Sequence, residues 1–185
     1  MPTMLATRKA SPTADVRIVV VSSKAVLLPL FMPAEGLILD EMKTDGSGRH
    51  YMKLYGHSKL ANIMFARKLS QLYPDIISTS CHPGTVKSEI WGKANGGGWL
   101  VNALAAVAVW IEGVTIEEGA KTQLWAATAK VGGKGNVENG HYYLPIGKDT
   151  TPAGKFDGDQ SMVDELWRWT NEELKAHGGP GWPEA

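Results

Sequence analysis

Tyr55-Gly56-His57-Ser58-Lys59 is the segment of this sequence whose residue types and spacing could do chemistry. On a helix, residues four apart share one face, with Cβ atoms about 6 Å apart. A lysine ammonium at that separation favours a phenolate over a phenol. A phenol so placed can give a proton to a carbonyl oxygen, or take one from an alcohol. A Tyr-x-x-x-Lys pair is by itself a common coincidence, so its weight comes from its surroundings. Upstream, Val21-Ser22-Ser23 closes a β-branched run and puts hydroxyls at a strand end. Downstream, His82-Pro83-Gly84-Thr85-Val86 follows a second such run. Open α/β sheets bind ligands at the carboxyl ends of their strands.

The elements that must position these residues follow from periodicity. Asp15 to Val21 has four apolar residues in a row without alternation, which predicts a strand covered on both faces. Residues 24–54 read as irregular, with Pro29, Pro33, Gly36, Gly46 and Gly48 as breakers and a brief extended piece over Gly36–Leu39. Leu60, Ile63, Met64, Leu69 and Leu72 give helical spacing from Tyr55 to Leu72, ended by Pro74. Ile76 to Cys81 is the second strand, so the order strand, helix, strand predicts a parallel pair. Residues 92–98 form a glycine-rich loop before an apolar helix over 99–111. Thr115-Ile116-Glu117-Glu118 reads as a capping box that opens a helix to about Ala129. His141 to Ile146 is a third strand. A last helix starts near Ser161 with Asp164 as its reciprocal cap, and buries Val163, Leu166, Trp167 and Leu174. His82 reads as a packed or solvent-bonded loop residue rather than a base, and Cys81 as an inert core thiol. Trp110, Trp125, Trp167 and Trp169 read as core or interface.

Composition limits what such a chain can be. Its 185 residues fit one domain, and 43% hydrophobic against 21% charged residues supply a real core. Lysine plus arginine is 19 and aspartate plus glutamate is 19, so no basic excess exists to hold nucleic acid. The single cysteine excludes an internal disulfide and a zinc site built from several thiolates, and no metal site is predicted. No stretch reaches the length of a membrane span, and the opening residues lack a signal-peptide core; both predict a cytoplasmic protein. A small molecule or a protein partner is the expected ligand.

Taken together, these segments resemble the short-chain dehydrogenase/reductase family, and within it the retinol-dehydrogenase-type and related fungal members. The likeness rests on Arg17-Ile18-Val19-Val20-Val21-Ser22-Ser23, Tyr55-Gly56-His57-Ser58-Lys59-Leu60-Ala61-Asn62 and His82-Pro83-Gly84-Thr85-Val86. Glu118-Gly119-Ala120-Lys121-Thr122, Gly140-His141-Tyr142-Tyr143 and Leu166-Trp167 extend it over nearly the whole chain. The resemblance implies an α/β fold, the C-terminal part of a doubly wound Rossmann-type parallel sheet, as one partial domain over residues 1–185. It implies an oxidoreductase that interconverts a carbonyl and an alcohol with NADP or NAD. Ser23 would then hydrogen-bond the substrate oxygen and Tyr55 would be the general acid/base. Lys59 would support Tyr55 and bind the nicotinamide ribose. Pro83, Gly84 and Val86 would line the nicotinamide, with Ser88 at a position often held by threonine. Leu27, Leu28, Leu30, Phe31, Trp91 and Trp99 lean toward an apolar substrate, although core packing would explain them equally well.

The sequence also departs from the family. No glycine-rich turn follows a first strand, where the cofactor pyrophosphate would sit at a helix N-terminus. Gly96-Gly97-Gly98 follows a loop, and Gly132-Gly133-Lys134-Gly135 sits at a helix end, so neither supplies that turn. The family's Asn-Ala-Gly strand end is absent, and Met1 to Ala10 resembles the tail of the helix that precedes the serine strand. The interval from Ser23 to Tyr55 is longer than in most members, and a surface loop can absorb it. The nucleotide-binding half is therefore expected to lie outside this sequence, and the isolated chain to bind nicotinamide cofactors weakly. The alternative is a catalytically inactive remnant that acts, if at all, as an interaction partner. On the same grounds the outward face of helix 55–72, with Met64 and Phe65, is expected to lie uncovered, so that the isolated chain self-associates, as in a homo-oligomer, or is only marginally stable.

Overall fold

The β-branched run forms β1 (Arg17–Val21) and the second run forms β2 (Ile77–Cys81). They pair in parallel with Val21 opposite Cys81. This is a computed structural model that describes residues 1–32, 35–43, 51–87, 113–156 and 158–182. The expected 92–98 loop, the 99–111 helix, Ser88, Trp91, Trp99 and Trp110 lie outside the described residues. Between β1 and β2 runs α2 (Tyr51–Leu72), the crossover that a parallel pair requires. A short helix α1 (Pro2–Ala10) precedes β1. After β2 come β3 (Thr85–Val86), β4 (Gly113–Val114) and α3 (Ile116–Thr128). The chain then forms β5 (Tyr142–Leu144), β6 (Lys148–Asp149) and α4 (Gln160–Ala176). The main sheet has the order β1-β2-β5-β6, parallel except for the final hairpin, while β3 and β4 pair separately. A mixed α/β chain with a mostly parallel sheet is what the sequence predicted.

Alternation along β5 shows how the layers stack. Tyr142 packs into the core with Leu60, Ile63 and Met64 of α2, whereas Tyr143 meets Trp125 of α3 edge-on at 4.8 Å. Neighbouring strand residues point to opposite faces, so α2 and α3 cover the two sides of the sheet. That explains why β1 shows no polar alternation. Cys81 is fully buried on β2, and burial pushes its thiol up to about 11 because the buried thiolate loses its hydration. At pH 8 this leaves about one thiolate in a thousand. A disulfide reagent is expected to modify the native protein roughly a hundredfold more slowly than the urea-unfolded chain at that pH, and equal rates would refute the burial.

Several sequence expectations are corrected by packing. Helix α2 begins at Tyr51, a full turn before Tyr55, because buried Met52 continues the stripe that runs through Gly56 and Leu60. The expected extended piece at Gly36–Leu39 is not a strand; Leu39–Lys43 forms a short 3₁₀ helix instead. At α3, Thr115 Oγ1 does accept the Glu118 N–H at 3.2 Å. The Glu118 carboxylate, however, pairs with Lys121 rather than returning to the cap, so only half of the capping box forms. Helix α4 is capped by Asp159, whose Oδ1 accepts the Met162 N–H at 3.2 Å. Asp164 is drawn away to Lys68 at 2.6 Å, and that hydrogen bond holds its carboxyl below the usual range. Val163 and Leu166 are buried as expected, but Leu174 is 40% exposed in the last turn and belongs to neither core cluster.

The outward face of α2 is not bare. Met64 is 0% exposed, and α4 lies along the helix with Val163 and Leu166 in the same core cluster. Phe65 packs against Trp167 at 5.7 Å and Trp182 at 5.3 Å. The C-terminal segment supplies the cover that the sequence reading had assigned to missing chain.

Candidate active site

The parallel register sets the site's frame. Ser22 continues the ladder, its N–H donating to the Cys81 carbonyl at 2.7 Å, so Ser22-Ser23 and His82-Pro83-Gly84 leave adjacent strands at one edge. As the crossover between parallel strands, α2 has its first turns at that same edge. Ser23 is 8% exposed and caps the 3₁₀ turn Lys24–Leu27, its Oγ accepting the Ala25 N–H at 3.2 Å. That contact uses an oxygen lone pair and not the hydroxyl proton. Ser22, also buried, donates its hydroxyl to the Lys59 carbonyl at 2.7 Å.

Tyr55 lies in the second turn of α2 and is 43% exposed. The Lys59 Nζ sits 5.5 Å from the centre of its ring, as the four-residue spacing predicts. Phe31 meets the same ring edge-on, with centroids 6.1 Å apart. The loop after Ser23 thus returns to touch the tyrosine. Gly56 makes this return possible, since a Cβ there would stand 1.8 Å from the Phe31 carbonyl oxygen. Gly56→Ala is expected to cost about 1–3 kcal/mol by overpacking, and to loosen Phe31 from Tyr55. Chemical denaturation checks it; an unchanged midpoint would refute the close approach.

At the β2 end, Gly84 has φ +94°, a conformation that side chains resist. A Cβ there would also come within 3.3 Å of Val114. Beyond it, Val86 pairs with Val114 on β4, and Gly119 lets the first turn of α3 rest on it, because a Cβ would lie 2.4 Å from Val86 Cγ2. Gly84 and Val86 are therefore held in place by packing from α3 and β4. Ser88 lies outside the described residues.

Three neighbours of the site have no chemical role in the sequence reading. They are Phe31, Asn62 and Tyr142. Asn62 donates from Nδ2 to the Val21 carbonyl at 3.0 Å. Tyr142 is fully buried, and its hydroxyl has no hydrogen-bond partner among the described residues. Burial first, then the charges of Cys81 and Tyr55, hold that hydroxyl well above the ordinary phenol range. Helical position could have drawn attention to Asn62, three residues after Lys59; no local signal marks Phe31. Among the described residues, no cluster of three or more His, Cys, Asp or Glu could hold a metal, and no helix is long and apolar enough to cross a membrane.

No family model matches the chain. Curated relatives do. A short-chain dehydrogenase/reductase of Armillaria gallica is 30% identical over 183 residues, covering 95% of this chain and 52% of that protein. One from Phomopsis amygdali is 25% identical, covering 96% and 54% respectively. One from Macrophomina phaseolina is 33% identical over 131 residues, covering 68% and 61%. A solved structure of an uncharacterized protein from Mycobacterium paratuberculosis superposes with TM-score 0.53 at 20% identity, over 94% of this chain and 55% of that one. The last match shows the fold alone. The chain spans about half the length of the first two curated relatives.

Proposed function

The chain belongs to the short-chain dehydrogenase/reductase family, and from that premise we propose that it serves an NAD(P)-dependent oxidoreductase that interconverts a carbonyl and an alcohol. The observation that carries this is the common edge of Ser23, the Tyr55–Lys59 pair and the Pro83-Gly84 turn. Tyr55, exposed at that edge, gives its phenolic proton to a carbonyl oxygen, or takes one from an alcohol. Ser23 orients the same oxygen with its hydroxyl proton. Lys59, with its ammonium 5.5 Å from the centre of the Tyr55 ring, stabilises the phenolate that remains once the proton has been given. The residues that would hold a nicotinamide at this edge are Lys59, whose ammonium can donate to a ribose hydroxyl, and Pro83, Gly84 and Val86, which follow β2, Gly84 in the left-handed conformation of its φ of +94°. When bound, that group supplies the hydride.

The substrate in this proposal is apolar. Val21, Leu28 and Leu30 are exposed around the serine turn. A cleft of about 290 Å³ beside it is lined by Val26, Leu28, Pro29, Met32 and Phe156, with Lys155 as its one charged residue among the described residues. Such a lining binds by area and selects against polar groups. The test joins this chain to the part of the Armillaria gallica relative that it does not span, and follows NADPH or NADH oxidation with a panel of apolar ketones. Alcohol formation matched to cofactor oxidation is expected; a folded chimera that reduces none of them would refute the proposal.

A second proposal is an inactive chain that acts through association, including with its own copies. It is favoured by β1, the edge strand of the main sheet among the described residues, whose outer backbone groups resemble a docking template. Sedimentation of the isolated chain separates the two: a monomer at micromolar concentration disfavours association.

A further inference from the structure

Two side chains tie the end of β1 to a single turn of α2. Ser22 Oγ donates to the Lys59 carbonyl at 2.7 Å, and Asn62 Nδ2 donates back to the Val21 carbonyl at 3.0 Å. The bonds run in opposite senses, strand side chain to helix backbone and helix side chain to strand backbone. Together they fix both the distance and the rotation between the two elements. The strand end needs such a tie. Ile77 N–H bonds to Val16 and Ser22 N–H to Cys81, so even-numbered residues of β1 face β2. The Val21 carbonyl therefore points away from β2, and Asn62 donates to it.

What the tie holds is the proposed reaction site. Ser23 is the next residue after Ser22, Lys59 is the residue whose carbonyl accepts, and Tyr55 lies one turn back. The turn capped by Ser23 leads on to Phe31, whose ring and carbonyl rest against Tyr55 and Gly56. We propose that Ser22 and Asn62 are positioning residues, a latch that sets Ser23 and Phe31 against the Tyr55–Lys59 pair. This rests on the reaction proposed above. Neither residue touches substrate in it, and neither is needed to form the helix or the strand.

The test reads Tyr55 directly in the full chain. Fluorotyrosine is incorporated at the five tyrosines, and the Tyr55 resonance is assigned by its loss in Tyr55→Phe. Asn62→Ala and Asn62→Asp both remove the donor, the second at nearly constant size, and Asn62 is only half-buried. Both variants, and Ser22→Ala, are expected to move or broaden the Tyr55 fluorine signal while that of Tyr73, at the far end of α2, stays in place. An unmoved Tyr55 signal in the folded Asn62 variants overturns the latch. In the active chimera the same variants are expected to lower kcat about 10–100-fold with KM nearly constant, the pattern of misplaced reacting groups. A shifted Tyr55 signal with unchanged kcat overturns the positioning role. A wild-type chimera without turnover, by contrast, counts against the reaction proposal and leaves the fluorine result to judge the latch.

Discussion

Tyr55→Phe in the active chimera is expected to lower carbonyl reduction by roughly 10²–10⁴-fold, the usual cost of losing a general acid. The change removes one oxygen from a ring that is already 43% exposed, so folding has little to lose. Phe31 can keep its edge contact with the phenyl ring, and Lys59 can keep its place above it. The loss should therefore fall on kcat, with cofactor and substrate affinity nearly unchanged. Steady-state rates for wild type and variant, with melting curves to confirm equal folding, check it. A variant with wild-type rate would remove Tyr55 from the chemistry and with it the proposed reaction.

Met64→Ala is expected to destabilise the chain by about 2–5 kcal/mol, the range for truncating a buried methionine or leucine. Met64 is 0% exposed and shares a core cluster with Tyr142 of β5 and Val163 and Leu166 of α4. Its loss opens a cavity where the sheet, α2 and α4 meet. Leu174→Ala, on the same α4, supplies the internal control. Leu174 is 40% exposed and outside both clusters, so its truncation is expected to change stability by less than about 1 kcal/mol. Urea unfolding of the two variants gives the comparison, and similar losses from both would contradict the packing described. The contrast also reports on association, because a face of α2 covered from within offers no apolar patch to a second copy.

Local sequence alone was enough to place the catalytic candidates on their elements. The unbroken Arg17–Val21 and Ile77–Cys81 runs marked strands covered on both sides, and the helical stripe between them required a parallel crossover. The i,i+4 spacing put Lys59 over Tyr55, because one helical turn determines that contact. Likewise, Thr115 alone determined where α3 starts. Whatever depends on residues distant in sequence was beyond local pattern. The start of α2 moved to Tyr51 because Met52 found a buried place, and the cap of α4 fell to Asp159 because Lys68 on another helix took Asp164. Phe31 on Tyr55, the bare Cα of Gly56 beneath it and the crossed bonds of Ser22 and Asn62 arise only when β1, its following loop and α2 are brought together. Periodicity fixes which face of an element is apolar, but not what will cover it. For α2 the cover is α4 and Trp182, about a hundred residues further along the chain, and only the folded chain could name them.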